Sequence, residues 1–370
     1  MDKNVESYIP MKDKFEELKK VLDNIKKGEK ILLIGDNDGD GIPGCAIFSK
    51  ILKKYGFEYK KDFDVIFINH DFKYTLTQDK QKQEFFRKYD YFILIDTAFN
   101  LSFLQSKFVC IMDHHKVDAK ADLMINPQFH NETKNDLNCC ACALVYCAYR
   151  YIFGKNKLLE KIAFASSLAD WMPMGSLPYL GISHENTEYF VNGGYVVPSN
   201  NILNTICFLQ DDKKFGAKWA FEKLFLETDK NLKSIVLLPE EFYKKLNKQK
   251  LRFSQIAKTI FDKVQEYNNV IFLILDHNYK EFKPNINVDL QAIYPGTTTF
   301  LIFENKQEKR YQFSCRSQTH DLVKLIGFLK KKCKTVVGGG HSVAAGFFVN
   351  NTEFVICKQL IIQNIKQFKN

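Results

Sequence analysis

The sequence predicts a two-domain α/β protein, with an N-terminal domain built on a parallel sheet. A helical connector joins it to a smaller C-terminal α/β domain, and an active-site cleft is expected between the two domains. Three observations carry this prediction: short apolar runs alternate with helical patterns, a long charged helical segment follows, and strand and helix patterns then alternate again. The expected boundaries are 1–185 for the first domain, 186–268 for the connector and 269–370 for the second domain.

The elements of the first domain follow in order. Residues 11–28 carry apolar side chains at helical spacing, and residues 46–55 show the same pattern. Strands are predicted at four uninterrupted apolar runs, at 31–34, 65–68, 91–95 and 108–112. Two further helices, at 139–153 and 157–170, close the domain. Apolar strands of this kind are typical of a parallel sheet that is covered on both faces.

The second half contains the connector and another α/β pattern. Residues 183–200 are rich in Gly, Asn, Ser and Pro and predict a loop, and helices are predicted at 202–227 and 239–267. The remaining predicted elements are strands at 270–275, 298–303, 311–315 and 347–349, a helix at 322–332 and a glycine-rich turn at 338–340.

Composition indicates the environment and the class of partner. The chain has no run of eighteen apolar residues and no signal peptide at its N-terminus, which predicts a soluble, cytoplasmic protein without a membrane partner. Its 10 cysteines are expected to be free thiols of a reducing compartment. The 53 Lys+Arg against 43 Asp+Glu give a net charge of +10, which favours a polyanionic partner such as nucleic acid. Compositional drift explains that charge equally well.

Carboxylates and imidazoles follow four of the predicted elements, at the ends where parallel sheets place their sites. These residues are Asp36, Asp38 and Asp40, then Asp96, then Asp113, His114 and His115, and finally Asp170. Alternate carboxylates on a Gly-containing loop can converge on a hard divalent cation, although a solvated Asp/Gly turn is the alternative. An EF-hand loop is excluded, because Ile47 stands at its twelfth position.

The two histidines suggest a division of roles. His114 and His115 are adjacent on a segment expected to be extended, so their side chains should point to opposite sides. One could then bind a metal while the other faces the substrate or a second metal. Oxygen and imidazole donors suit Mn²⁺ or Mg²⁺ better than Zn²⁺. The cysteines at 139–142 lack a second Cys/His pair and are expected to be core residues.

The order of these motifs resembles the DHH phosphoesterase superfamily. The motifs are Asp-x-Asp-x-Asp-Gly at 36–41, Asp96, Asp-His-His at 113–115, Asn126-Pro127, a helix at 140–145 and Asp170. Ser314-Cys-Arg316-Ser317 and Gly338-Gly-Gly-His341 resemble two elements of the DHH-associated domain. The chain is most similar to RecJ-like single-strand exonucleases of the compact archaeal type, because its first motif opens with Asp rather than His.

The resemblance implies roles for these residues. The implied metal ligands are Asp36, Asp38, Asp40, Asp96, His114 and Asp170, with Asp96 bridging two divalent cations, preferably Mn²⁺ and alternatively Mg²⁺. Which of the first three acids touch metal is left open. Asp113, His114 and His115 form the implied catalytic set, in which Asp113 supports the histidines and His115 contacts the scissile phosphate or acts as an acid. The implied substrate-binding residues are Ser314, Arg316, Ser317, Gly338, Gly339, Gly340 and His341.

The function implied by the resemblance is hydrolysis of single-stranded DNA or RNA from an end to mononucleotides, by metal-activated water. Two alternatives stay open: a phosphoesterase for short oligonucleotides or small nucleotides, and a non-catalytic replisome scaffold like the eukaryotic helicase subunit of this fold. The implied partners are single-stranded nucleic acid and proteins of a replication-helicase complex, with roles in DNA repair and replication. Strand polarity, DNA or RNA preference and oligomeric state are not determined by the sequence.

Overall fold

A computed structural model of the chain describes residues 9–68, 79–102, 104, 106–115, 119–130, 139–170, 173–182, 216–227, 240–340 and 342–369. The chain divides into two compact units, Met1–Tyr243 and Lys244–Asn370. The loop predicted at 183–200 and most of the helix predicted at 202–227 lie outside the described residues. Each unit has its own sheet and its own core, so the α/β class predicted from the sequence is confirmed.

The first unit contains a five-stranded sheet in which every pair of neighbouring strands is parallel. Its strands are β1 (Ile31–Asp36), β2 (Phe63–Ile68), β3 (Tyr91–Ile95), β4 (Phe108–Met112) and β5 (Leu123–Ile125), in the order β2–β1–β3–β4–β5. Because all strands run in one direction, their C-terminal ends share one edge. The acids after β1, β3 and β4 are therefore brought to the same place.

Helices cover this sheet. They are α1 (Lys12–Asn24), α2 (Gly41–Lys54), α3 (Lys80–Phe86), α4 (Ala141–Phe153), α5 (Lys157–Ala169), α6 (Pro173–Leu180) and α7 (Ala217–Glu227). Alternate residues of β1 enter different cores: Leu33 packs with α2 and α4, whereas Leu32 packs with Phe86 of α3. This double burial explains why the strands are uninterrupted apolar runs.

Helix α2 begins at Gly41, earlier than the predicted start at 46. Oδ1 of Asp38 accepts hydrogen bonds from the backbone N–H groups of Asp40 and Gly41, at 2.9 and 3.0 Å. Pro43 lies in the first helical turn, where its missing N–H costs no helical hydrogen bond. A Cβ at Gly41 would lie 2.4 Å from the carbonyl oxygen of Asp36, so the turn from β1 into α2 requires glycine.

The second unit contains a six-stranded mixed sheet. Its strands are β6 (Gln265–Tyr267), β7 (Val270–Asp276), β8 (Thr298–Asn305), β9 (Arg310–Arg316), β10 (Val337–Gly340) and β11 (Ala344–Asn350), in the order β10–β11–β9–β8–β7–β6. The helices of this half are α8 (Glu240–Ile260), α9 (Lys283–Ile293), α10 (Leu322–Lys332) and α11 (Asn351–Asn364). One face of the sheet packs on α10 and α11, and α9 packs on the opposite face at β7 and β8.

Two sequence predictions for this half were wrong. The helix predicted at 239–267 ends at Ile260, and Gln265–Tyr267 forms a strand instead, followed by Asn268 at a φ of 55° in the turn to β7. The turn predicted at 338–340 is strand β10, paired with β11. Glycine at 338 therefore serves close strand packing, since a Cβ there would lie 2.2 Å from the carbonyl oxygen of Gly346.

Two general features complete the fold. Across the described ranges, no helix has both the length and the apolar character that are needed to cross a membrane. All nine cysteines for which the structure gives a position are buried and carry free thiols.

Alanine should destabilise the protein at one of two neighbouring glycines of β10 and leave its stability unchanged at the other. Gly338→Ala should lower the free energy of unfolding by about 1–3 kcal/mol, because the new methyl group overlaps the backbone of β11. Gly339→Ala is the matched control, since a Cβ there meets no described atom within 4 Å. Urea unfolding of both variants measures the difference. Equal stability of the two variants would contradict the packing of β10 on β11.

Candidate metal centre

Asp96 occupies an unusual backbone position directly after β3. It has a φ of 56°, in the left-handed region that Asp tolerates better than most residues. Its N–H donates to the carbonyl oxygen of Met112 at 3.0 Å, which ties it to the end of β4. The side chain is 3% exposed. The sheet edge therefore holds this carboxylate inside the protein, beside the residues that follow β4.

His114 lies among three carboxylates. Its Nε2 atom is 3.2 Å from Oδ1 of Asp96, 3.4 Å from Oδ2 of Asp170 and 3.8 Å from Oδ2 of Asp40. A divalent cation that is about 2.1 Å from each ligand in octahedral geometry separates neighbouring ligand atoms by about 3 Å. The observed separations are close to that value. His114 belongs to two compact groups of possible ligand atoms, one with Asp40 and Asp170 and one with Asp96, Asp113 and His115.

Charge and burial also favour a cation at this position. Oδ1 of Asp96 is buried and accepts no hydrogen bond from the residues that the structure describes. Burial, together with the charges of Asp38 and Asp40, raises the pKa of Asp96 well above its ordinary value. Burial and the charge of Asp38 likewise raise the pKa of Asp40 to about 6. A bound dication would offset this repulsion, and the absence of thiolates from the set favours Mn²⁺ or Mg²⁺ over Zn²⁺.

The carboxylate of Asp40 is held by the N-terminus of helix α4. Its Oδ2 accepts the backbone N–H of Ala141 at 2.6 Å, and its Oδ1 accepts that of Cys142 at 2.9 Å. Oδ1 lies 2.8 Å from the hydroxyl of Ser166, on α5, which donates to it. Asp40 thus caps a helix that is a hundred residues away in sequence. The sequence analysis did not identify Ser166, because no local pattern marks this contact.

The buried Asp113 and the half-buried His115 form an ion pair beside His114. Oδ1 of Asp113 lies 2.7 Å from Nδ1 of His115 and also accepts the backbone N–H groups of His114 and His115. Burial alone would raise the pKa of Asp113, but the charge and hydrogen bonds of His115 outweigh it and hold the pKa below its ordinary value. Burial lowers the pKa of His115, but the charge and hydrogen bond of Asp113 raise it to about 9. The pairing with Asp113 therefore favours the protonated form of the His115 imidazole.

The prediction that the two histidine rings point to opposite sides was wrong. Their ring centroids are only 4.3 Å apart, because both backbone N–H groups turn toward the carboxylate of Asp113. Asn126 and Gln128 hold the turn by donating to the carbonyl oxygens of His115 and His114. Exposure still distinguishes the rings, since the side chain of His114 is 1% exposed and that of His115 is 35% exposed.

Asp36 and Asp38 lie at the same edge of the sheet, outside the compact groups of ligand atoms found among the described side chains. Oδ1 of Asp36 accepts the backbone N–H of Asn37, and Oδ1 of Asp38 caps the start of α2. Both carboxylates act on the centre through their charge: Asp38 raises the pKa of Asp96, and Asp36 contributes to the raised pKa of His115.

The predicted substrate-binding residues lie in the second unit, around β9 and β10. Ser317 is buried and accepts the backbone N–H groups of Thr319 and His320, and its hydroxyl lies 2.6 Å from that of Thr298. Ser314 is 5% exposed, and Arg316 is half-buried and donates to the carbonyl oxygen of Cys315. Gly338, Gly339 and Gly340 form most of β10, whereas His341 lies outside the described residues.

Comparison with known proteins identifies the family. Residues 30–175 match the family model "DHH family, N-terminal domain". The structure of RecJ from Thermus thermophilus in complex with Mn²⁺ is 17% identical in sequence and has a TM-score of 0.67. The match covers 98% of this chain and 56% of that chain. A structure of RecJ from the same organism in complex with Mg²⁺ is also similar. A structure of exonuclease RecJ bound to manganese is 16% identical with a TM-score of 0.59, over 96% of this chain and 94% of that chain.

A third similar structure is CDC45 from Entamoeba histolytica, which is 12% identical with a TM-score of 0.54, over 96% of this chain and 99% of that chain. No curated protein sequence matches the chain. At these identities the likeness to solved structures shows the fold, and the chain spans 56% of the length of the Thermus RecJ. Residues 30–175 therefore form a domain of the DHH family, and the fold of the chain is RecJ-like. The family predicted from the order of the motifs is thereby confirmed.

Two adjacent serines of α5 test how the centre is positioned. Ser166→Ala removes the hydroxyl that donates to Asp40, and we expect Mn²⁺ affinity to fall about tenfold or more, as for outer residues of other metal sites. Ser167→Ala is the matched control, because its buried hydroxyl donates to the carbonyl oxygen of Phe164 and makes no contact with Asp40 that the structure records. Calorimetric titration with Mn²⁺ measures both affinities. Equal affinities in the two variants would contradict a positioning role for Ser166.

Proposed function

We propose that the protein is a divalent-metal-dependent phosphodiesterase that hydrolyses single-stranded DNA or RNA from an end and releases mononucleotides. The observation that carries the proposal is that Nε2 of the buried His114 lies 3.2–3.8 Å from carboxylate oxygens of Asp40, Asp96 and Asp170, because such donor atoms suit a hard cation. The RecJ-like fold supports the exonuclease activity, because one of the similar structures is named as exonuclease RecJ. The net charge of +10 favours a polyanionic substrate.

The centre is proposed to take two divalent cations, with Mn²⁺ preferred, Mg²⁺ as the alternative and Asp96 shared between them. When bound, such ions polarise a phosphoryl oxygen and activate water. Asp40, His114 and Asp170 would complete one ligand set. Asp36 and Asp38, at the same edge of the sheet, would supply carboxylates for the second set.

The protonated His115 supplies the proposed contact with the reacting phosphate. Asp113 fixes the ring through the 2.7 Å contact with Nδ1 and keeps the imidazole charged. Because the side chain of His115 is 35% exposed while that of His114 is buried, His115 is the one that a substrate can reach. A positioned imidazolium can bind the phosphate or protonate the leaving oxygen, and such a contribution is worth about 10²–10⁴-fold in rate.

The second unit is proposed to hold the end of the nucleic-acid strand. The guanidinium of Arg316, whose planar N–H groups match a phosphate, and the backbone of β10 are the proposed direct contacts. The three-domain division, the cleft and the cytoplasmic location remain predictions from the sequence. The fold shared with CDC45 supports the further proposal of partners in a replication-helicase complex.

The proposed activity is tested with single-stranded DNA and RNA, labelled at either end and incubated with Mn²⁺. We expect a ladder of shortened strands and free mononucleotides, and a rate about 10²–10⁴-fold lower for Asp113→Ala. The control is Asp276→Asn, which retains a side-chain oxygen at a helix cap of the second unit. Activity confined to strands of a few nucleotides would favour the short-oligonucleotide alternative. No activity on any strand, or equal rates for wild type and Asp113→Ala, would contradict the proposal.

The pH dependence of the rate tests the role of His115. Because the imidazole must be protonated, activity should fall as the pH rises through the pKa of His115, which is about 9 before metal binds. Asp113→Asn removes the charge that raises this pKa, so the alkaline limb should move to lower pH, by roughly 1–3 units. The control His130→Gln alters a histidine that pairs with Asp13 instead, and its profile should match that of wild type. An alkaline limb at the same pH in Asp113→Asn would contradict the assignment.

A further inference from the structure

The excess positive charge of the chain lies in its second unit. Residues 244–370 contain 21 Lys+Arg against 9 Asp+Glu, which gives this unit a charge of +12. Residues 1–243 contain 32 Lys+Arg against 34 Asp+Glu, which gives −2. The net charge of +10 therefore comes from the smaller unit, and the field of that unit attracts polyanions.

Four of these bases stand close together at the end of helix α10. We call them the α10 lysine cluster, and they are the exposed residues Lys330, Lys331, Lys332 and Lys334. Every exposed residue of α10 is a lysine, while the apolar side of the helix packs into the core of the second unit. Because successive residues of a helix are about 100° apart, the three helical members of the cluster spread over the solvent-facing side.

The backbone that carries the cluster is held by hydrogen bonds. Cys333, inside the cluster, is 2% exposed, and its N–H donates to the carbonyl oxygen of Leu329 at 2.8 Å. The N–H of Lys334 donates to Oε1 of Glu353 at 3.0 Å, and that of Thr335 donates to Oε2 at 2.8 Å. The chain is therefore tied to helix α11 directly after the cluster, and the four charges are presented from a fixed backbone.

Three charges of the cluster are not neutralised by the part of the chain that the structure describes. None of its ion pairs includes Lys330, Lys331 or Lys332, whereas Lys324 on the same helix pairs with Asp321 at 3.2 Å. The dipole of α10 favours positive charge at this end of the helix, but adjacent like charges repel one another. A bound polyanion would offset that repulsion.

The chemistry of the cluster indicates which polyanion it fits. A helix that binds a membrane surface needs apolar side chains on its exposed face to enter the bilayer, and α10 exposes none. Lysines are point charges that attract phosphates without reading a base. Because the phosphates of a nucleic-acid strand follow one another at short intervals, one strand can contact several of these lysines together.

We propose that the α10 lysine cluster binds the phosphate backbone of the substrate strand, independently of its sequence and outside the candidate metal centre. The proposal deepens the proposed function and rests on it, since it takes the polyanion to be single-stranded nucleic acid. The reacting end of the strand has to reach the metal centre of the first unit. The cluster is therefore assigned to nucleotides further along the strand.

The test measures how strand binding depends on salt, on the full-length protein without added metal. A fluorescent polythymidine strand is titrated with wild type and with the triple variant Lys330→Gln, Lys331→Gln, Lys332→Gln, between about 50 and 200 mM KCl. Each phosphate contact on a single strand contributes about 0.7 to the slope of log affinity against log salt. The triple variant should therefore lose about 2 from that slope and bind about tenfold more weakly, or less, at the lowest salt.

A matched control removes the same charge elsewhere in the second unit. The triple variant Lys258→Gln, Lys263→Gln, Lys306→Gln alters three exposed lysines outside α10, and its slope should change by less than about 0.7, the value of one contact. Replacing the three helical lysines of the cluster by arginine keeps their charge and should retain the wild-type slope. Thermal melting verifies the fold of each variant, and glutamine is a good helix former.

Two further measurements identify the group that is bound. A strand with uncharged methylphosphonate linkages should bind wild type and the cluster variant alike. Vesicles of phosphatidylserine are tested in parallel. Loss of vesicle binding in the cluster variant, with unchanged binding of the strand, would assign the cluster to a membrane and overturn the proposal. An unchanged slope in the cluster variant, or an equal loss in the matched control, would also overturn it.

The outcome separates this proposal from the proposed function. Hydrolysis of strands by wild type, with an unchanged slope in the cluster variant, would leave the phosphodiesterase standing and remove the cluster as a contact. A reduced slope without hydrolysis of any strand would do the reverse.

Discussion

The carboxylate of Asp40 is the constraint on which the first unit depends. It follows β1 by one short turn, yet it caps the distant helix α4 and receives the hydroxyl of Ser166. Its burial carries a cost, which is visible as a pKa raised to about 6. Helix α4 packs on α2, which covers the sheet. The hydrogen bonds from α4 to Asp40 therefore position both this helix and a carboxylate of the candidate metal centre. Fold and site are therefore stabilised by the same hydrogen bonds.

The parallel sheet explains how distant acids reach that centre. Asp96 and Asp113 follow neighbouring strands of one direction, and His114 comes directly after Asp113. Without a bound cation, the buried carboxylates repel one another, and this repulsion together with burial raises the pKa of Asp96 above its ordinary value. A divalent cation bound between the carboxylates would offset this repulsion and favour their charged forms. The ion pair of Asp113 and His115 lies beside the cluster and keeps a positive charge where a substrate can reach it.

Much of this could be predicted from sequence, because strand-end acids and apolar runs are local signals. β3 and β4 were predicted with their observed bounds, and the family follows from the order of the motifs. Contacts between residues far apart in the chain have no local sequence pattern. The hydrogen bonds of Ser166 with Asp40 and of Asn287 with Ser314 could therefore not be predicted. The turn that brings His115 beside His114 depends on three donors sharing one carboxylate oxygen, which residue spacing does not reveal.

The central claim is that the acids around His114 form a divalent-cation site, and a crystal grown with Mn²⁺ tests it most directly. Anomalous scattering at the manganese edge should place an ion within about 2.3 Å of Nε2 of His114 and of carboxylate oxygens of Asp96 and Asp170. An Asp96→Asn crystal should show that peak weakened or absent. A fully Mn²⁺-soaked wild-type crystal without a peak between these side chains would contradict the account.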